Sequence, residues 1–214
     1  CMFLGTPAAY SQNHFEQSES RSPSSPISYE AVALFNADSS TMTVNVHYRI
    51  VQNFFIFVRN ERAPQRTDYV ARGELLVELV NEQKISVARQ IVQLPLTRTT
   101  LPKESDRPIN LQGVVSLPAP PGKYTIVFSV DDRESGRSFI EKTRKVASPD
   151  PKPAALYVSD LMMCRQPVLG KQPQLFVPMN RGGNVLFADA GGLLTEVFLP
   201  SALDTLRLTW KLTG

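Results

Sequence analysis

The stretch that decides the fold runs from residue 122 to residue 132 and reads Gly-Lys-Tyr-Thr-Ile-Val-Phe-Ser-Val-Asp-Asp. Its large apolar residues fall at every second position: Tyr124, Ile126, Phe128 and Val130. Successive side chains of a strand point to opposite faces of the sheet, so this period of two indicates a β-strand with one buried face. The Gly-x-Tyr start, on what would be the penultimate strand, is typical of the corner tyrosine of immunoglobulin-like sandwiches.

On both sides of this stretch, further apolar runs are separated by turn residues such as Asn36 to Ser40. The predicted strands are 29–35, 41–50, 54–58, 74–80, 85–94, 111–117, 122–132 and 137–146. The register of 85–94 is uncertain because Arg89 interrupts its alternation. Eight strands without an amphipathic helix predict an all-β fold, an immunoglobulin-like antiparallel β-sandwich over residues 27–148.

A second, smaller unit is predicted after a stiff linker. Residues 149–153 carry alternate prolines, which forbid both a helix and a sheet ladder. Residues 154–214 then contain four further apolar runs, at 156–163, 174–179, 193–199 and 206–212. So few strands leave a sheet edge open, and an open apolar edge is a liability. We therefore expect 154–214 to be a truncated second β-sandwich in a protein that continues past Gly214.

The N-terminal residues indicate export. Residues 1–11 are apolar and then small, and residues 12–26 are polar and rich in Ser and Pro, as in a disordered leader. Either Cys1 is the lipid-carrying cysteine of a lipoprotein, or 1–11 is the remnant of a signal peptide with small residues at Ala9 and Ser11. The apolar Met2-Phe3-Leu4 favours the signal peptide. Both interpretations place the protein in the periplasm or on the outer cell surface, the first with a lipid anchor.

Composition and charge exclude several classes of function. The chain has 23 basic and 20 acidic residues among its 214, scattered singly, for a formal net charge of +3. Nucleic-acid and membrane-binding arms carry blocks of like charge, and none is present. We therefore expect no nucleic-acid partner, and membrane contact only through a lipid on Cys1.

No catalytic or metal-binding constellation is visible in the sequence. Of the two histidines, His14 lies in the leader and His47 on the polar face of a predicted strand, where a solvated side chain is expected. Cys1 and Cys164 lack metal-ligand spacing, and Cys164 follows an apolar run, which favours a buried thiol. We expect no enzyme activity, cofactor or metal ion. An enzyme whose chemistry lies beyond Gly214 is the remote alternative.

Two features could still form a ligand site. Asp131, Asp132 and Glu134 share one predicted turn, but calcium needs about six or more oxygen ligands, so a solvated turn is the simpler interpretation. The rings of Phe54, Phe55 and Phe57, with Tyr69, could stack on a sugar if they were exposed. Core packing of these rings is the competing interpretation, because a sandwich interior absorbs at least one face of an aromatic strand.

The chain resembles the N-terminal region of GWxTD-domain proteins, a group of exported bacterial proteins. The resemblance spans residues 29–212 and is carried by three stretches: Thr41–Ile50 followed by Phe54–Val58, the Pro-Pro-Gly-Lys-Tyr run that starts at Pro120, and Leu156–Leu161. The Gly-Trp-x-Thr-Asp motif that names the group is absent, and the single tryptophan, Trp210, lies in Thr-Trp-Lys-Leu. The resemblance implies an exported protein and no catalytic residues.

Together these observations predict a non-catalytic β-sandwich module of the cell envelope or surface. Its expected partners are envelope or surface proteins, because the scaffold hosts many binding functions on its loops and edges. A carbohydrate-binding module is the alternative, and it depends on exposed aromatic rings.

Overall fold

The computed structural model describes residues 25–35, 41–61, 68–101, 108–150, 157–164 and 192–198. Its regular structure is antiparallel β-sheet, apart from one 3-10 turn at Gln52–Phe54. The strands are β1 Ile27–Phe35, β2 Met42–Val51, β3 Val58–Arg59, β4 Tyr69–Asn81, β5 Ser86–Arg98, β6 Asn110–Ala119, β7 Gly122–Asp132, β8 Ser138–Glu141, β9 Lys145–Ser148, β10 Tyr157–Val158, β11 Met162–Cys164, β12 Gly192–Leu194 and β13 Val197–Phe198. The predicted all-β fold is confirmed.

Strands β1 to β9 form two sheets around one apolar core. The first sheet has the order β1-β2-β6. In the second sheet, β5 pairs with one side of β4, whereas β3 and β7 pair with its other side. Strands β8 and β9 pair with the side of β7 that faces away from β4. Tyr29 of the first sheet stacks on Phe128 of the second, with ring centroids 4.3 Å apart and planes 9° from parallel. Both rings are fully buried, so the two sheets face each other as a sandwich.

The corner tyrosine predicted at Tyr124 is confirmed. Its hydroxyl donates a hydrogen bond of 2.6 Å to the carbonyl of Pro120, four residues upstream, at the turn from β6 into β7. Gly122 has φ +155°, and a Cβ there would lie 3.0 Å from the Tyr124 hydroxyl. Glycine at this position therefore lets the ring fold back over the corner.

The prediction of a continuous strand over Phe54–Val58 is wrong. The N–H of Phe55 closes the 3-10 turn onto the carbonyl of Gln52 at 3.1 Å, and the N–H of Ile56 bonds the Asp132 carboxylate at 2.9 Å. These backbone groups thus have partners outside any sheet ladder, and only Val58 enters a strand, β3. The predicted strand 137–146 is likewise divided into β8 and β9, with the carbonyl of Arg144 between them accepting from Ile126.

The uncertain register of β5 has a structural cause. Leu79 of β4 faces Ala88, whereas Val80 faces Ser86, so Val87 is an extra residue in β5. This β-bulge shifts the alternation of side chains by one residue.

The edge of β1 is covered at Ala33 and Phe35 by residues of the later segments. The N–H of Ala33 bonds the carboxylate of Asp160 at 2.9 Å, and the carbonyl of Ala33 accepts from the Asp160 N–H at 3.1 Å. The N–H of Phe35 bonds the carboxylate of Glu196 at 2.5 Å. Burial raises the pKa of Glu196, and the hydrogen bond from Phe35 acts in the opposite direction. Two carboxylates therefore take the place of a neighbouring strand.

The outer face of the first sheet is also buried where β1 crosses it. Val32 and Leu34 of β1 pack against Met162, Cys164 and Leu194 in a second apolar cluster. The small sheets β10-β13 and β11-β12 belong to the predicted second unit. Its separation from the first as a domain stays a prediction, and the turn at 36–40, residues 151–153 of the linker and the predicted strands 174–179 and 206–212 lie outside the described residues.

Candidate interaction surface

One end of the sandwich collects several turns and strand ends, and we call it the loop end: residues 52–59, 98–101, 108–109 and 132–137. Two hydrogen bonds join these segments to one another. The N–H of Gln52 bonds the carbonyl of Ile109 at 2.8 Å, and the N–H of Ile56 bonds the carboxylate of Asp132 at 2.9 Å. Loops held at one end of a sandwich are a common place for binding sites.

Asp132 organises the loop end from its centre. Its side chain is buried, at 1% exposure, and accepts three hydrogen bonds, from the N–H of Ile56 (2.9 Å), the N–H of Glu134 (3.1 Å) and the hydroxyl of Ser135 (2.5 Å). The solvated turn expected here is therefore wrong for Asp132. Its oxygens bind protein donors that fix the backbone of two loops, which is a structural role.

Two arginines brace the aromatic segment of the loop end. Arg137 donates to the carbonyl of Phe54 at 3.2 Å and lies over the Phe54 ring, 5.8 Å from its centroid. Arg98 lies 5.2 Å from the centroid of Phe57 and donates two hydrogen bonds, of 2.6 and 2.9 Å, to the side-chain oxygen of Gln52. Such cation–π contacts are each worth about 0.5–1 kcal/mol at exposed sites. The loop is thus held by two arginines on the side of the second sheet, Arg98 of β5 and Arg137 just before β8.

The consequence is a surface that exposes aliphatic side chains and hides aromatic ones. Phe54, Phe55 and Phe57 are only 2–8% exposed, and Tyr69 packs against the same core. The exposed aliphatic side chains of the loop end are Ile56 (43%), Val58 (39%), Leu101 (47%) and Ile109 (52%). The four rings considered for sugar stacking therefore form no exposed platform. The exposed aliphatic residues were not singled out in the sequence, because they differ from core residues only in tertiary surroundings.

A groove of about 520 Å³ continues from the loop end onto the outer face of the second sheet. Its lining residues are Arg72, Gly73, Gln93, Leu94, Pro95 and Arg133. Both guanidiniums are paired at 2.6 Å, Arg72 with Glu134 and Arg133 with Glu74. The hydrogen bonds that Arg133 and then Gln93 donate to Glu74 lower the pKa of Glu74. The hydrogen bond that Arg72 donates to Glu134 raises the pKa of Arg72. Because each charge has its counter-ion, the groove is a polar rim and not an anion site.

The remaining residues considered in the sequence are not brought together. His47 is 4% exposed on the outer face of the first sheet, so the prediction of a solvated His47 is wrong. Cys164 is fully buried, as predicted, and burial raises the pKa of its thiol. Within the described ranges, no three His, Cys, Asp or Glu side chains come close enough to hold a metal ion. The same ranges contain no helix of the length and apolar character needed to cross a membrane.

Comparison with protein-family models, with characterised proteins and with solved structures gave no match for this chain.

Proposed function

We propose that the protein is a non-catalytic, exported β-sandwich module of the cell envelope or surface, and that it binds a partner protein through the loop end. The observation that carries the proposal is the pairing of exposure with rigidity. Ile56 is exposed, yet its backbone N–H is tied to the buried Asp132. Ile109 is exposed, yet its carbonyl is tied to Gln52.

Rigid exposed apolar side chains favour a protein partner. Ordering a loop on binding costs free energy, and a loop already held by hydrogen bonds avoids that cost. The aliphatic patch would form the centre of an interface, with the paired charges of the groove as its polar rim. The carbohydrate alternative loses its support, because Phe54, Phe55 and Phe57 are buried and Tyr69 is partly buried against the core.

The export and family assignments belong to the same proposal. The N-terminal sequence and the resemblance to GWxTD-domain proteins both support an envelope location, with or without a lipid on Cys1. A non-enzymatic role is supported by a sandwich interior filled with apolar side chains.

The proposal is tested by affinity capture from envelope extracts with the full chain and matched variants. Ile56→Lys and Ile109→Lys place a charge at the loop end. Ile140→Lys, on β8 and 57% exposed, is the matched control on another surface. We expect one protein to be recovered with the wild type and the control and lost with both loop-end variants.

All variants should unfold at the same urea concentration as the wild type, since each replaces an exposed side chain. Recovery that does not depend on Ile56 and Ile109 would contradict the proposal. Binding to a glycan array without any protein recovered would replace the protein partner with a sugar.

A further inference from the structure

Strand β5 presents a free edge whose orientation can be worked out from two hydrogen bonds. Within the described residues β5 pairs only with β4, from Val80 facing Ser86 to Tyr69 facing Arg98. The carbonyl of Arg72 accepts from Arg133, so the backbone of Arg72 faces away from β5. Pro95, which lies opposite Arg72 in β5, therefore forms a non-hydrogen-bonded pair with it. The carbonyl of Pro95 then faces the free edge of β5.

By the alternation of a strand, the backbone groups of Arg89, Ile91 and Gln93 face the same free edge as those of Pro95. The usable edge has two limits. Pro95 has no N–H to offer, and the bulge at Val87 breaks the ladder. Between them lies a regular segment, 88–94, whose middle residue is Ile91.

The side chains of this segment are self-complementary about Ile91. Ile91 is 43% exposed and lies at one end of a row of paired residues that crosses the sheet. The row continues through Leu76 of β4 and Ser129 of β7 to Ile140 of β8. On its two sides along the edge are one cation, Arg89, and one neutral amide, Gln93.

We propose that β5 pairs antiparallel with β5 of a second copy of this chain, about a twofold axis at Ile91. Ile91 then faces Ile91 of the second copy, and Arg89 faces Gln93 of the second copy. Each facing pair exchanges two backbone hydrogen bonds, because both of its residues point their N–H and C=O groups at the free edge. No like charges lie opposite each other in this segment.

The pairing also aligns the outer faces of the two sheets. The apolar row through Leu76 and Ile91 continues into the same row of the second copy, and each Arg89 lies in line with the Gln93–Glu74 hydrogen bond (2.8 Å) of the other. Such an interface is isologous and closes on itself, which removes the open edge as a site for further strand addition. This surface is separate from the loop end, so it goes beyond the proposed partner binding.

The test is sedimentation velocity of the full chain from micromolar to millimolar concentration. We expect a monomer–dimer equilibrium that Ile91→Lys weakens by about tenfold or more, since two like charges then face each other and an apolar pair is lost. Ile140→Lys, on the same face of the sheet but in β8, away from the β5 edge, should leave the equilibrium unchanged. A protein that stays monomeric at millimolar concentration, or a dimer unaffected by Ile91→Lys, overturns the proposal.

A crosslink provides a second readout. The Cα atoms of a hydrogen-bonded antiparallel pair lie about 5.5 Å apart, within the range of a disulfide. In a Cys1→Ser background, Ile91→Cys should therefore form a covalent dimer under mild oxidation, and Ile140→Cys should not. Crosslinking through residue 140 but not residue 91 would also overturn the proposal, and neither readout depends on a partner at the loop end.

Discussion

The Tyr124 corner gives the sharpest test of how the sandwich is held together. Tyr124→Phe keeps the ring, which is 5% exposed, and removes only the hydroxyl that donates to the Pro120 carbonyl at 2.6 Å. A hydrogen bond of this kind contributes about 0.5–1.5 kcal/mol net to stability. Pro120 is itself exposed, so water can reach its carbonyl in the variant, and the larger cost of a buried unsatisfied group is avoided.

We therefore expect Tyr124→Phe to lower the free energy of unfolding by about 1 kcal/mol, or the melting temperature by about 2–4 °C for a chain of this size. Urea unfolding followed by circular dichroism measures the change. Tyr48→Phe is the matched control, since the Tyr48 hydroxyl lies beside Gly113 and has no hydrogen-bond partner within the described residues. If Tyr124→Phe matches the wild type, or if Tyr48→Phe costs as much, the corner is not an anchor of the fold.

Three further changes test other parts of the structure. A Cβ at Gly73 would lie 2.4 Å from the Phe55 ring, so Gly73→Ala should cost about 1–3 kcal/mol by urea unfolding, with Phe55→Leu in the same chain restoring part of the loss. Asp132→Ala leaves the Ile56 N–H without its acceptor and should cost about 3 kcal/mol and expose residues 54–58 to limited proteolysis; unchanged cleavage there would contradict its organising role. Because the pKa of Glu196 is raised in the folded protein, its carboxyl ionises at a lower pH in the unfolded chain than in the folded one. The free energy of unfolding therefore falls as the pH rises from the ordinary pKa of a glutamate through the raised pKa of the folded protein. Glu196→Gln should remove this fall from the free energy of unfolding measured by urea over a series of pH values. Curves of the same shape for the variant and the wild type would refute the role of Glu196.

The parts of the fold that the sequence predicts best are strands with one solvent-exposed face and one buried face. Strand β7 is predicted to the residue, because Tyr124, Ile126, Phe128 and Val130 all point inward and a sharp corner precedes them. The aromatic run at 54–58 fails for the opposite reason. Its five apolar residues satisfy a strand or a buried loop equally well, and the choice is made by Asp132, which lies far away in the sequence.

The surroundings of individual side chains are the least predictable part. His47 alternates correctly with the inward residues of β2, and it lies on the outer face of its sheet as expected. Its burial is set by its tertiary surroundings, which the alternation within residues 42–51 does not report. The same reasoning applies to the loop end, where Ile56 is exposed between two buried phenylalanines.

The two carboxylates on the edge of β1 have a consequence for the order in which the protein matures. Asp160 and Glu196 follow Ala33 and Phe35 by 127 and 161 residues, so a chain that emerges amino-terminus first has every strand of the sandwich before it has this cover. During that interval β1 is a bare template for a neighbouring chain. A product stopped near residue 150 should therefore fold and yet aggregate. That outcome would mean that the last segment protects the edge of the first strand from pairing with other chains.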